Sequence, residues 1–168
     1  MPDYLSLIQL NPQGPRNDVT PLFADYEAFR ALVQDLLEPF EQSTFDYVAG
    51  IDALGFVLGT AVALTARKGL VPIRKSGEVP GPSVSIDFVD YTGGGKSLEV
   101  RKDAVKPGAR ILLVDDWIET GAQVKAAVQL IESQGGVVVG ISAIHMDDRA
   151  ITRWLRERYK CHAVSLGT

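Results

Sequence analysis

Residues 111–123 (ILLVDDWIETGAQ) constrain this chain more than any other stretch. The aliphatic run 110–114 reads as a strand buried on both faces, the kind found in parallel sheets covered by helices. It leads into two adjacent carboxylates, Asp115 and Asp116, which are costly to bury without partners. Thr120, Gly121, Ala122 and Gln123 then open a helix. Small residues there let backbone N–H groups close around a phosphate at the positive helix end. A bare Asp pair would read as helix capping and solvent exposure. Strand, acidic pair and phosphate turn together read as a ribose phosphate site.

The flanking sequence repeats the alternation of strand and helix. Residues 21–39 carry Phe23, Tyr26, Phe29, Leu32, Val33, Leu36 and Leu37 at the spacing of an amphipathic helix. Apolar runs at 45–49, 70–73, 137–143 and 163–166 read as strands, and 56–67, 124–133 and 149–159 as helices. Residues 84–90 alternate and pair with 98–100 across the glycine-rich loop 91–96 (YTGGGK). The fold class is therefore α/β, with a mainly parallel sheet and an inserted β-hairpin. Ligands in such sheets bind at the carboxyl ends of the strands. That places Arg74 and Lys75, directly after 70–73, where a pyrophosphate would sit. Arg grips phosphate through paired hydrogen bonds, and Lys adds a point charge.

Composition narrows the function classes. The 168 residues suit one domain. A net charge of −4 argues against nucleic acid as a partner but not against an anionic small molecule. With one cysteine, Cys161, an intrachain disulfide and a Cys-rich zinc site are excluded, and a cytoplasmic setting is expected. The N-terminal MPDYLSLIQL lacks the basic-then-apolar pattern of a signal peptide, and no apolar run is long enough for a membrane. His145 and His162 read as strand or surface residues, and Trp117 and Trp154 as packing residues.

Residues 111–123 resemble the phosphoribosyl diphosphate (PRPP) motif of type I phosphoribosyltransferases. Residues 18–33, 47–59, 70–81 and 98–108 are similar in order and spacing to adenine phosphoribosyltransferases. The resemblance implies a PRPP site. Asp115 and Asp116 would hold the ribose and, through it or through water, Mg2+. Thr120, Gly121, Ala122 and Gln123 would bind the 5-phosphate, and Arg74, Lys75, Ala53 and Leu54 would face the pyrophosphate. It assigns Asp90, Tyr91 and Glu119 to the catalytic step, with 91–96 as a lid that excludes water. It assigns Arg16, Asn17 and Glu119 to the base, within an N-terminal hood (1–22) on a core (23–168). The implied reaction takes adenine and PRPP to AMP and pyrophosphate, with Mg2+ as cofactor and a homodimer as the assembly.

Several positions depart from the adenine pattern, among them Ala122, Gln123 and Asp90, which is a shorter acid than the family's Glu. Leu54 stands where the family has Arg, and a lost charged hydrogen bond costs about 1.5–3 kcal/mol. Asn17 stands where an Arg precedes the aligned Asp, with Arg16 displaced by one. Glu119 stands where Ala is usual. The hypoxanthine-guanine enzymes carry an Asp there near purine N7, so Glu119 reads either as a base contact or as a solvated glutamate at the helix start. These departures keep open a 6-oxopurine or other base. A more distant alternative is a PRPP- or nucleotide-binding regulator without turnover.

Overall fold

The computed structural model describes residues 3–12, 17–89 and 93–166. After a short 3-10 turn at Asp3–Leu7 come α1 (Thr20–Ala24), α2 (Tyr26–Leu37), β1 (Tyr47–Ile51), α3 (Leu54–Thr65) and β2 (Gly69–Lys75). Then follow β3 (Ser83–Val89), β4 (Gly95–Arg101), β5 (Arg110–Ile118), α4 (Ala122–Ser133), β6 (Val137–Met146), α5 (Ala150–Arg158) and β7 (Cys161–Leu166). The single helix expected over 21–39 is two. Asp25 is extended between them, and its carboxylate accepts from the Ala28 N–H at 2.9 Å, capping α2. The strand expected at 45–49 lies two residues later, at β1.

Among the described residues one sheet has seven strands in the order β3-β4-β2-β1-β5-β6-β7. Strands β2, β1, β5, β6 and β7 run parallel, and the β3–β4 hairpin joins antiparallel at one edge. This is the expected parallel sheet with an inserted hairpin. Alternation along β5 divides its side chains between two cores. Ile111 and Leu113 belong to the core containing Val124, Val128 and Ile131 of α4. Leu112 and Val114 belong to the core containing Leu32 and Leu36 of α2 and Leu58 and Val62 of α3. The parallel registers Tyr47↔Gly69 and Tyr47↔Ile111 bring the carboxyl ends of β2, β1 and β5 side by side.

Candidate active site

A cleft of about 590 Å³ opens at those three strand ends and is bordered by the β3–β4 hairpin. Asp52, Ala53 and Leu54 enter it after β1, and Lys75 and Ser76 at the end of β2. Phe88, Lys96 and Ser97 come from the hairpin, and Asp115, Asp116, Trp117, Glu119, Thr120, Gly121 and Gln123 from the motif after and within β5.

β5 continues to Ile118, so the acidic pair lies inside the strand rather than after it. Asp115 is only 3% exposed, and its Oδ1 accepts from the Asp116 N–H at 3.0 Å. Glycines bring the neighbouring loop against it. A Cβ at Gly50 would lie 2.3 Å from the Gly55 carbonyl oxygen, and one at Gly55 would lie 3.0 Å from Asp115 Oδ1. This close approach turns residues 52–54 into the cleft beside the acidic pair. The Asp52–Ala53 peptide is cis.

On the other side of the pair, Gly121 heads α4 with φ +83. A Cβ there would lie 3.1 Å from Thr152 Cγ2 and 3.2 Å from the Thr152 nitrogen, so backbone and packing both demand glycine. The Lys125 N–H reaches the Gly121 carbonyl at 2.9 Å, starting the helix, and the Ala122 N–H donates to Thr120 Oγ1 at 3.3 Å. The positive end of a 12-residue helix thus meets the cleft beside two carboxylates. Such a site pairs hydroxyl acceptors with an anion cradle.

Residues 23–165 match the family model described as Phosphoribosyl transferase domain. The chain belongs to the phosphoribosyltransferase family. It is 49% identical over 124 residues to an adenine phosphoribosyltransferase of Dinoroseobacter shibae, spanning 73% of this chain and 68% of that one. The crystal structure of adenine phosphoribosyltransferase from Rhodothermus marinus superposes with a TM-score of 0.89 at 30% identity, covering 97% of this chain and 96% of that one. The Giardia lamblia enzyme, solved with 9-deazaadenine, gives the same TM-score at 25% identity over 99% and 97% of the two chains.

In this phosphoribosyltransferase the cleft gathers Ala53, Leu54, Lys75, Asp115, Asp116, Glu119, Thr120, Gly121 and Gln123 from the residues marked in sequence. Ala122 begins α4 and is not a lining residue. Arg74 is not a lining residue either. Alternation turns it away from the face that carries Lys75. Its guanidinium donates to the Glu78 carbonyl at 2.8 Å and the Glu78 carboxylate at 3.0 Å. Asn17 also lies off the cleft, where its Oδ1 accepts from the Asn11 N–H at 3.2 Å. Arg16, Asp90 and Tyr91 lie outside the described residues.

Trp117, read in sequence as a packing residue, packs as expected and also lines the cleft. Its indole stacks on the His145 ring, with centroids 4.3 Å apart and planes 22° apart. Both imidazole nitrogens are engaged, Nδ1 with Ser165 Oγ at 2.7 Å and Nε2 with Asp147 Oδ1 at 2.9 Å. Trp117, Glu119 and Thr120 also line a second cavity of about 660 Å³, together with His145, Asp147, Arg149, Ala150 and Ile151. The register pair Trp117↔His145 produces the stack, but it requires knowing that β5 extends past the acidic pair. Lys96, expected in the loop 91–96, stands instead in β4, which begins at Gly95. Ser97 was missed, because only the sheet topology brings β4 to the cleft.

Proposed function

We propose that this chain transfers the 5-phosphoribosyl group of PRPP to adenine, giving AMP and pyrophosphate. The supporting observation is the single cleft in which Asp115 and Asp116 stand between Lys75 and the phosphate-cradling start of α4. A ribose between these groups would offer its hydroxyls to the carboxylates and its 5-phosphate to the turn 120–123. The bond from the anomeric carbon to pyrophosphate breaks as the bond to the purine nitrogen forms. Carboxylates near the sugar stabilise its cation character, and Lys75 stabilises the departing anion. Trp117, half-buried on the cleft wall, offers an aromatic surface to a planar base.

Mg2+ is part of this proposal. Among the described residues no group of three His, Cys, Asp or Glu could form a metal cage. The hard oxygens of Asp115 and Asp116 suit an ion that arrives on PRPP oxygens and waters, which is how Mg2+ prefers to bind. Bound there, it would neutralise the pyrophosphate. A homodimer is likewise proposed. Helix α3 leaves Val57 and Leu64 exposed, Leu64 to 73%, and such apolar surface suits a second copy. Among the described residues no helix is long and apolar enough to cross a membrane. Burial pushes the pKa of the Cys161 thiol up to about 11, which keeps it protonated. A lone cysteine suits a cytoplasmic setting.

Glu119 favours a second choice of base. It lines both cavities next to Trp117, where a carboxylate would accept from the N7–H or N1–H of a 6-oxopurine. Chromatography of reactions with PRPP, Mg2+ and adenine, hypoxanthine, guanine or xanthine separates the two. Nucleotide from adenine at the highest kcat/KM is expected. Nucleotide from hypoxanthine or guanine but not adenine overturns the choice of base, and no nucleotide from any base overturns the transferase assignment.

A further inference from the structure

Glu99, within β4, is buried to 5% exposure, and among the described residues its partners are backbone N–H groups and a hydroxyl rather than a cation. Its Oε1 accepts from the N–H groups of Glu78 at 2.7 Å and Val79 at 2.6 Å, and its Oε2 from Ser83 Oγ at 3.2 Å. Two successive N–H groups thus converge on one anion, a backbone nest filled by a side chain. The bond from Val79 foremost holds the carboxyl below its ordinary range, against the opposing effect of desolvation.

These residues form the turn between β2 and β3. Its leading edge, Lys75 and Ser76, lines the cleft. The Ser76 N–H donates to the Ser97 carbonyl at 3.1 Å, and Arg74 grips Glu78 from the side. Packing does not hold the turn at Gly77, where φ is +86 and nothing lies within 4 Å of a Cβ. The restraint follows directly after it, in the bonding of Glu78 and Val79 to Glu99. The β2–β4 register, Arg74↔Glu99 and Lys75↔Leu98, places the carboxylate one residue from the cleft lysine.

We infer that Glu99 is a positioning residue: it fixes the turn 76–79 and so sets where Lys75 and Ser76 stand against the anionic end of the donor. This role rests on the transferase function proposed above. It acts through Lys75, so it belongs to donor binding and not to the base.

The test uses the full chain with Glu99→Gln, which keeps size and one acceptor oxygen, and Glu99→Asp, which keeps the charge but withdraws it from the turn. For both, KM for PRPP should rise about tenfold, the scale of one charged hydrogen bond, while KM for adenine stays within about twofold. Inhibition by pyrophosphate should weaken in parallel. In a Lys75→Ala background the effect of Glu99→Gln should shrink to less than about half, because the two residues act through one contact. Equal rises in both KM values, or an undiminished effect without Lys75, overturn the role. Should one variant not fold, the other carries the same comparison. Wild-type protein that makes no nucleotide contradicts the transferase function itself. Active wild type with unchanged KM for PRPP in the Glu99 variants contradicts only the role of Glu99.

Discussion

The Arg74 guanidinium donates to the carbonyl and carboxylate of Glu78, at 2.8 and 3.0 Å, while its neighbour Lys75 lines the cleft. Two adjacent cations at one strand end therefore have different tasks. Lys75→Ala should raise KM for PRPP about tenfold or more, the cost of one charge-assisted contact. Arg74→Ala should change it by less than about threefold, because it loses a partly exposed ion pair. Steady-state kinetics with PRPP varied checks both. A larger effect from Arg74→Ala would mean that its guanidinium leaves Glu78 when donor binds.

Trp117 presents an aromatic wall to the cleft and is backed by the His145 ring. Trp117→Ala should raise KM for adenine by roughly tenfold, from loss of about 0.5–1.5 kcal/mol of ring–ring contact plus the buried area. KM for PRPP should stay within about twofold. Unchanged base affinity in this variant would return Trp117 to a packing role.

Gly55 leaves no room beside Asp115, since a Cβ would lie 3.0 Å from Oδ1 and 3.1 Å from the Val114 carbonyl oxygen. Gly55→Ala should destabilise by about 1–3 kcal/mol through overpacking. It should also cost roughly 100-fold in kcat/KM, as expected when a misplacement of about 1 Å reaches the reacting groups. Thermal melts and turnover on the same preparation check this. Wild-type turnover would show that Asp115 need not hold its position.

Much of this site was legible in residues 111–123. Strand hydrophobicity, the acidic pair and the Thr-Gly turn each demand a local structure, and all three occur together. Other features depended on distances in space. Arg74 and Lys75 are indistinguishable as charges, and only the strand's phase separates them. Trp117 read as packing because its stacking partner lies 28 residues away on β6. Asp25 interrupts an otherwise continuous apolar periodicity, because its carboxylate caps α2. Glu99 gave no signal, since two of its three partners are peptide groups whose identity carries no side-chain code.

Burial lowers the affinity of His162 for a proton, outweighing the opposing influence of Asp35. Its folded-state value therefore lies below the ordinary 6.5, and between the two the unfolded chain binds more protons. Its contribution to stability is present above the ordinary value and is lost as pH falls through the folded one. Denaturant melts of wild type and His162→Gln across this acidic window should show the wild type losing more stability. Parallel curves would remove His162 as the cause.

The most direct measurement follows AMP and pyrophosphate together, from adenine, PRPP and Mg2+, for wild type and Asp116→Ala. Wild type should give equimolar AMP and pyrophosphate, and Asp116→Ala should lose turnover by at least about 100-fold with a melting temperature close to wild type. Absence of AMP from folded wild-type protein would contradict the proposed reaction, and wild-type turnover in Asp116→Ala the proposed site.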